Sequence, residues 1–213
     1  MERKTRKPMQ KRALDKVARI IDAAFTLFNE KGYYNTTTED IAKQANVATG
    51  SLYSYFKDKK DIYIKVQEKI YKDIFYPSMN FWINNDKPLN NYDTAKNLFS
   101  AFLKLMLKSH NFSKLFHDES EALKLLDEDI RNISNEHDAY LNEKIDEMLI
   151  NLSIPFKSKD DMEIFLHFCL LLIDDVCHKI CYDNTLKDMN LYMDKCTDMI
   201  CTLFMDTTNF PKE

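Results

Sequence analysis

Residues 32–63 read GYYNTTTEDIAKQANVATGSLYSYFKDKKDIY, and the way this stretch divides into helices decides the fold of the chain. The run Thr36-Thr37-Thr38 followed by Glu39 and Asp40 offers a hydroxyl N-cap with a carboxylate three positions further on, so a helix is expected to start near Thr38. Its buried face is Ile41, Ala42 and Ala45. Asn46-Val47-Ala48 makes a tight connection with Val47 turned inward, and Thr49 is expected to cap a second helix that buries Leu52 and Phe56. Two short helices joined this tightly follow the grammar of a helix-turn-helix. The second helix then turns Thr49, Gly50, Ser51, Tyr53, Ser54 and Tyr55 outward. Short hydroxyl groups suit a major groove, and at Gly50 no Cβ stands between the backbone and an approaching surface. Hydroxyls here mostly serve phosphates, which fix register more than they read bases.

Upstream, Val17, Ile20, Ile21, Ala24, Phe25 and Phe28 fall on one face of a helix, and Gly32 sits where a left-handed cap would end it. Only two glycines and five prolines interrupt 213 residues, and strand-like alternation between turn pairs is missing. The fold class expected is all-α, with about nine helices near 13–31, 38–45, 49–55, 59–84, 93–109, 112–125, 127–152, 159–182 and 186–205. Asp93, Ser158 and Thr185 are the expected N-caps in the second half.

Charge divides with the same boundary. Residues 1–62 carry 13 Lys/Arg against 8 Asp/Glu, a net of +5, while residues 63–213 carry 17 against 26, a net of −9. A polyanion partner therefore belongs at the N-terminus, where Arg3, Lys4, Arg6, Lys7, Lys11 and Arg12 form a basic arm suited to flanking phosphates or to simple solvation. The expected domains are 1–62, binding DNA, and 63–213. No stretch suits a membrane span or a signal peptide, and the five cysteines lack any Cys-x-x-Cys pair. A cytoplasmic protein with free thiols and no membrane contact is expected.

The segment resembles the DNA-binding domain of the TetR family of transcriptional regulators. The residues carrying the resemblance are Gly32-Tyr33, Thr37-Thr38, Ile41-Ala42, Ala45-Asn46-Val47, Gly50-Ser51-Leu52-Tyr53-Ser54-Tyr55-Phe56 and Lys59. Asn46 stands where the family commonly has glycine, and Ala48 where a serine is frequent. The resemblance covers roughly residues 13–65. It implies phosphate contacts from Thr38, Tyr53, Tyr55 and Lys59, and base-edge contacts from Thr49, Gly50 and Ser54. It also implies a homodimer on double-stranded operator DNA, released by a small-molecule effector held in the C-terminal domain.

For that domain the resemblance implies dimerisation through the last two helices, whose apolar stripes contain Phe165, Phe168, Leu172 and Val176 on one and Met189, Met193, Cys196, Ile200, Leu203 and Phe204 on the other. Leu172, Val176, Met189, Met193, Cys196 and Ile200 are the expected seam, although a stripe does not name its partner. A largely apolar effector pocket is expected among Trp82, Phe99, Phe102, Met106, Phe116, Phe165 and Phe168, with His117 and Tyr140 as polar anchors and Asp174, Asp175 and His178 as further candidates.

Other chemistries lack their residues. Asp174, Asp175, Cys177, His178 and Cys181 crowd two turns of one helix, but no Glu-x-x-His occurs and no paired Cys-x-x-Cys, so no metal and no cofactor is expected. Hydrolase elbows, phosphate loops and zinc-protease motifs are absent, and two glycines could not build most of them. The remaining rival to a regulator is a helical protein-interaction module that uses the helix-turn-helix as scaffold.

Overall fold

A computed structural model describes residues 11–77, 80, 89, 91–110, 112–151 and 153–210. Its helices, in chain order, are α1 (Lys11–Lys31), α2 (Thr38–Gln44), α3 (Thr49–Leu52), α4 (Lys59–Ile70) running on through a π turn (Tyr71–Phe75), α5 (Tyr92–Ser109), α6 (Lys114–Leu126), α7 (Glu128–Asn151), α8 (Lys159–Tyr182) and α9 (Met189–Thr207). The described residues contain no strand, only an isolated bridge between Phe156 and Thr208. None of these helices is long and apolar enough to cross a membrane. Arg3, Lys4, Arg6 and Lys7 of the basic arm and Trp82 lie outside the described residues, while Lys11 and Arg12 form the first turn of α1.

Caps account for most boundaries. Ser158 caps α8 as expected, accepting from Asp161 N. Elsewhere a neighbour takes the role. Asn91, not Asp93, caps α5 in a reciprocal box with Thr94, and Asp188, not Thr185, caps α9. Thr185 instead gives its N–H and hydroxyl to Asp183.

The chain forms two compact units, and their division does not follow a single sequence boundary near residue 62. The first comprises 1–73 and 112–139, the second 74–111 and 140–213. The physical reason is an aromatic nucleus in the first unit. Phe116 of α6 packs against Phe25, Phe28 and Tyr63 with ring centroids 6.2, 6.4 and 6.3 Å away, within the range of favourable aromatic pairs. Phe28 and Tyr63 are fully buried, and Ile20, Ile41, Leu52, Phe56, Ile62 and Val66 complete this core. Further along, Lys60 joins Asp127 at 3.1 Å and Asp129 at 2.6 Å, tying α4 to the junction of α6 and α7.

The second unit packs α5, α8 and α9 around Phe99, Phe165 and Phe204, whose rings meet pairwise at 5.4–5.8 Å. Leu103, Ile173, Ile200 and the thiols Cys169, Cys177, Cys196 and Cys201 share this core. All five cysteines are free. Burial pushes the Cys177 and Cys201 thiols up to about 12 and Cys196 to about 11, so they pack as small apolar groups.

If α6 belongs to the first core, Phe116→Ala should lower stability by about 3–5 kcal/mol in urea unfolding. A loss below about 1 kcal/mol would remove α6 from that core.

Candidate nucleic-acid interface

The approach to the interface is set by the bend after α1. Gly32 has φ +83, a backbone conformation that favours glycine, and a Cβ there would push against the Glu119 carboxylate. Gly32 N closes onto Phe28 O at 2.9 Å. Tyr33 N donates to Glu119, the Thr36 hydroxyl donates to Gly32 O at 2.7 Å, and Lys59 Nζ donates to Tyr33 O at 2.7 Å and Thr36 O at 2.9 Å. The same ammonium lies 4.3 Å from the centre of the Tyr33 ring. Burial pushes the Lys59 ammonium pKa down, opposed by the Glu119 charge.

α2 starts with Thr37 as N-cap. Its side chain accepts from Asp40 N at 3.1 Å while Asp40 accepts from Thr37 N at 3.1 Å, a complete capping box. Lys31 Nζ adds a 2.8 Å contact to Asp40, and these hydrogen bonds hold the Asp40 carboxyl down at about 2. α2 ends in a Schellman turn: Val47 N donates to Ala42 O at 3.0 Å and Asn46 N to Lys43 O at 3.1 Å, with Asn46 at φ 52. Asparagine thus carries the left-handed residue that glycine would otherwise supply. Arg19 of α1 donates to Ala45 O at 3.2 Å.

α3 is shorter than expected, Thr49–Leu52 with turns beyond it, and its N-cap is Ala48 with no side-chain cap. Thr49 is therefore the first helical residue rather than the cap. Leu52 and Phe56 are buried as expected, while Gly50 and Ser54 are exposed and Thr49 half-buried. A Cβ added at Gly50 would meet nothing within 4 Å. The protein itself therefore does not need glycine there. The Ser54 hydroxyl donates to Gly50 O at 3.0 Å.

Tyr53 and Tyr55 are both half-buried. The hydroxyls of Thr38 and Tyr53 stand 2.8 Å apart in a hydrogen bond that joins the first turn of α2 to the end of α3. Thr38 is itself buried, and its hydroxyl is held in this pair. Lys59 spends two of its three donors on the bend, leaving one.

The effector candidates divide. Phe99, Phe102 and Phe165 line one partly open recess of the second unit together with Leu89, Ile145, Leu149, Ile154, Leu166, Cys169 and Leu170, with a cavity volume of about 50 Å³. Met106 packs at the margin of that core. Phe116 and His117 are not there: both belong to the first unit, Phe116 in its aromatic nucleus and His117 beside Asp118 at 3.3 Å. Phe168 is exposed, and Tyr140, also exposed, packs on Tyr76 at 4.7 Å. Aromatic composition finds the rings but not which core each one fills. The aliphatic lining residues carry no such signal.

The expected dimer seam also turns inward. Val176, Cys196 and Ile200 are buried in their own chain, and Leu172 and Met193 pack against the same core. Of the six, Met189 alone is strongly exposed. The outward apolar residues include Ile164, Phe168 and Leu171 on α8, at i, i+4 and i+7, with Leu170 beside them, and Met189, Leu191, Tyr192 and Met199 on α9. These helices have two apolar faces, and the stripe reading took the inner one.

The family model described as bacterial regulatory proteins, tetR family, matches residues 20–66. The biofilm operon icaADBC HTH-type negative transcriptional regulator IcaR of Staphylococcus epidermidis is 31% identical over 160 residues, 73% of this chain and 79% of that protein. The same-named regulator of Staphylococcus aureus strain Newman is 58% identical over 45 residues, 21% of this chain and 24% of that protein. Among solved structures, a transcriptional regulator from Rhodococcus sp. Rha1 superposes with a TM-score of 0.69 at 12% identity, covering 92% of this chain and 99% of the other, a likeness of fold.

Gly50→Ala isolates the interface from folding. Alanine should raise stability by about 0.5–1 kcal/mol, since glycine inside a helix is unfavourable, while weakening binding to a specific DNA site. Thermal unfolding and a binding titration on one preparation read both. Unchanged DNA affinity would mean that no surface approaches the backbone at Gly50.

Proposed function

Because the chain belongs to the TetR family of bacterial transcriptional regulators, we propose that it is a repressor that binds a palindromic operator as a homodimer and is released by a small, largely apolar effector. The observation that carries this reading is the uncovered first turn of α3, where Gly50 is open to space on a helix-turn-helix whose every other boundary is fixed by named hydrogen bonds. In this reading Thr49, Gly50 and Ser54 face base edges. The Thr38–Tyr53 pair, Tyr55 and the remaining donor of Lys59 meet phosphates. The negative regulator of Staphylococcus epidermidis supports repression rather than activation.

Two recognition helices must enter successive major grooves, so two-fold symmetry in the protein demands it in the DNA. The outward apolar faces of α8 and α9 supply the seam. Large apolar side chains exposed together on helix faces mark an interaction site when they form one patch. Phe168→Glu or Met199→Glu should therefore yield monomers in sedimentation and lose operator retention in the presence of competitor DNA. Should both variants remain dimeric, the seam lies elsewhere.

For the effector, the supporting observation is the lining of the recess, in which the Cys169 thiol is the sole side-chain heteroatom among the ten described lining residues. Burial raises that thiol's pKa and keeps it neutral, so the recess favours hydrocarbon or aromatic surface over charge. Release requires only that the ligand prefer a conformation in which the recognition helices leave their one-turn spacing. A coupling of about 1–3 kcal/mol weakens operator binding about 5- to 150-fold. Cys169→Phe would fill the recess. Fatty acyl or aromatic compounds that release the wild type should leave this variant on its operator, and equal release of both proteins would place the effector elsewhere.

A further inference from the structure

Two imidazoles and a carboxylate converge in the second unit, at a place that neither operator binding nor the apolar recess uses. The ligand atoms of His110, Asp174 and His178 all lie within 4.8 Å of one another. His110 is the C-cap of α5, its N–H held by Met106 O at 3.0 Å and Leu107 O at 3.2 Å. Its backbone is thereby fixed at the C-terminal end of that helix, whose partial negative charge favours a cation. Asp174 and His178 are one turn apart on α8, with Oδ2 and Nδ1 3.5 Å apart. The rings of His110 and His178 meet edge to face with centroids 5.0 Å apart.

We propose that His110, Asp174 and His178 form a binding site for a divalent transition-metal ion, and that zinc(II) is the ion their donor set fits. Zinc binds imidazole nitrogen and carboxylate oxygen at about 2.0–2.2 Å in a tetrahedron, which holds ligand atoms about 3.4 Å apart. The Asp174–His178 pair already has that spacing, and the third donor needs a side-chain adjustment of about an ångström. Two imidazoles disfavour magnesium and calcium, which take oxygen, and the absence of a thiolate from the set disfavours copper(I). Asp174 is exposed and both histidines are half-buried, so water completes the fourth position. The bound ion pins the end of α5 to α8.

Sequence spacing groups Asp174, Asp175, Cys177, His178 and Cys181 on one helix. Of these only Asp174 and His178 join the convergent set, and the third member is His110 at the end of α5.

The test titrates zinc(II) into chelator-treated full-length protein against a chromophoric chelator. One equivalent per chain should bind. His110→Ala and His178→Ala should each weaken binding at least about 10-fold, with helicity checked by circular dichroism. Zinc should raise the thermal midpoint of the wild type and not that of either variant. If either alanine variant fails to fold, Asp174→Asn, at an exposed position, reads the same loss. Cobalt(II) in place of zinc should give ligand-field bands without thiolate-to-cobalt charge transfer. The proposal is overturned by absence of competitive binding, by undiminished binding in the ligand variants, or by thiolate charge-transfer bands that put the ion on the cysteines.

Discussion

The bend from Gly32 to Thr36 depends on two oppositely charged side chains brought from other helices. Glu119 of α6 takes the Tyr33 N–H, and Lys59 at the start of α4 takes the carbonyls of Tyr33 and Thr36. A buried backbone group without a partner costs about 1–3 kcal/mol, so this bend keeps its shape only while both helices are docked. α2 begins directly after the bend, and the Schellman turn then orients α3 relative to α2. The recognition turn is thus fixed by a chain of hydrogen bonds that starts at Glu119 and Lys59. This is why α6, distant in sequence, belongs to the first compact unit.

Local chemistry made much of this interface legible in the sequence. The threonine run with Asp40, the Asn46 turn and the Gly32 cap each use residues whose hydrogen bonds or φ preferences operate within four or five positions. The structure reproduces all three, with Thr37 as the cap and α2 starting at Thr38. Ala48 marks the limit of that logic. Lacking a hydroxyl, it still caps α3, because the preceding turn places its backbone.

What was not legible depends on partners far along the chain. Phe116 and Phe165 look alike as buried aromatics, yet one packs on Phe28 and the other on Phe99. Val176 and Leu171 lie on opposite faces of α8, one buried and one exposed, and periodicity identifies an apolar face without saying what covers it. That is why most of the residues expected at the seam prove to pack within their own chain. The aliphatic lining of the recess, Leu149 and Ile154 for example, was hidden among many similar residues.

The central claim is that a family regulator with this fold reads DNA with two copies of α3 related by a two-fold axis. Hydroxyl-radical footprinting of the full-length protein on an operator fragment selected from its own genome tests it most directly. The account predicts two equivalent protected regions centred about 10 base pairs, or a small multiple of one turn, apart on one face of the duplex, with symmetric sequence beneath them. A single protected region, or protection without symmetry, would contradict it.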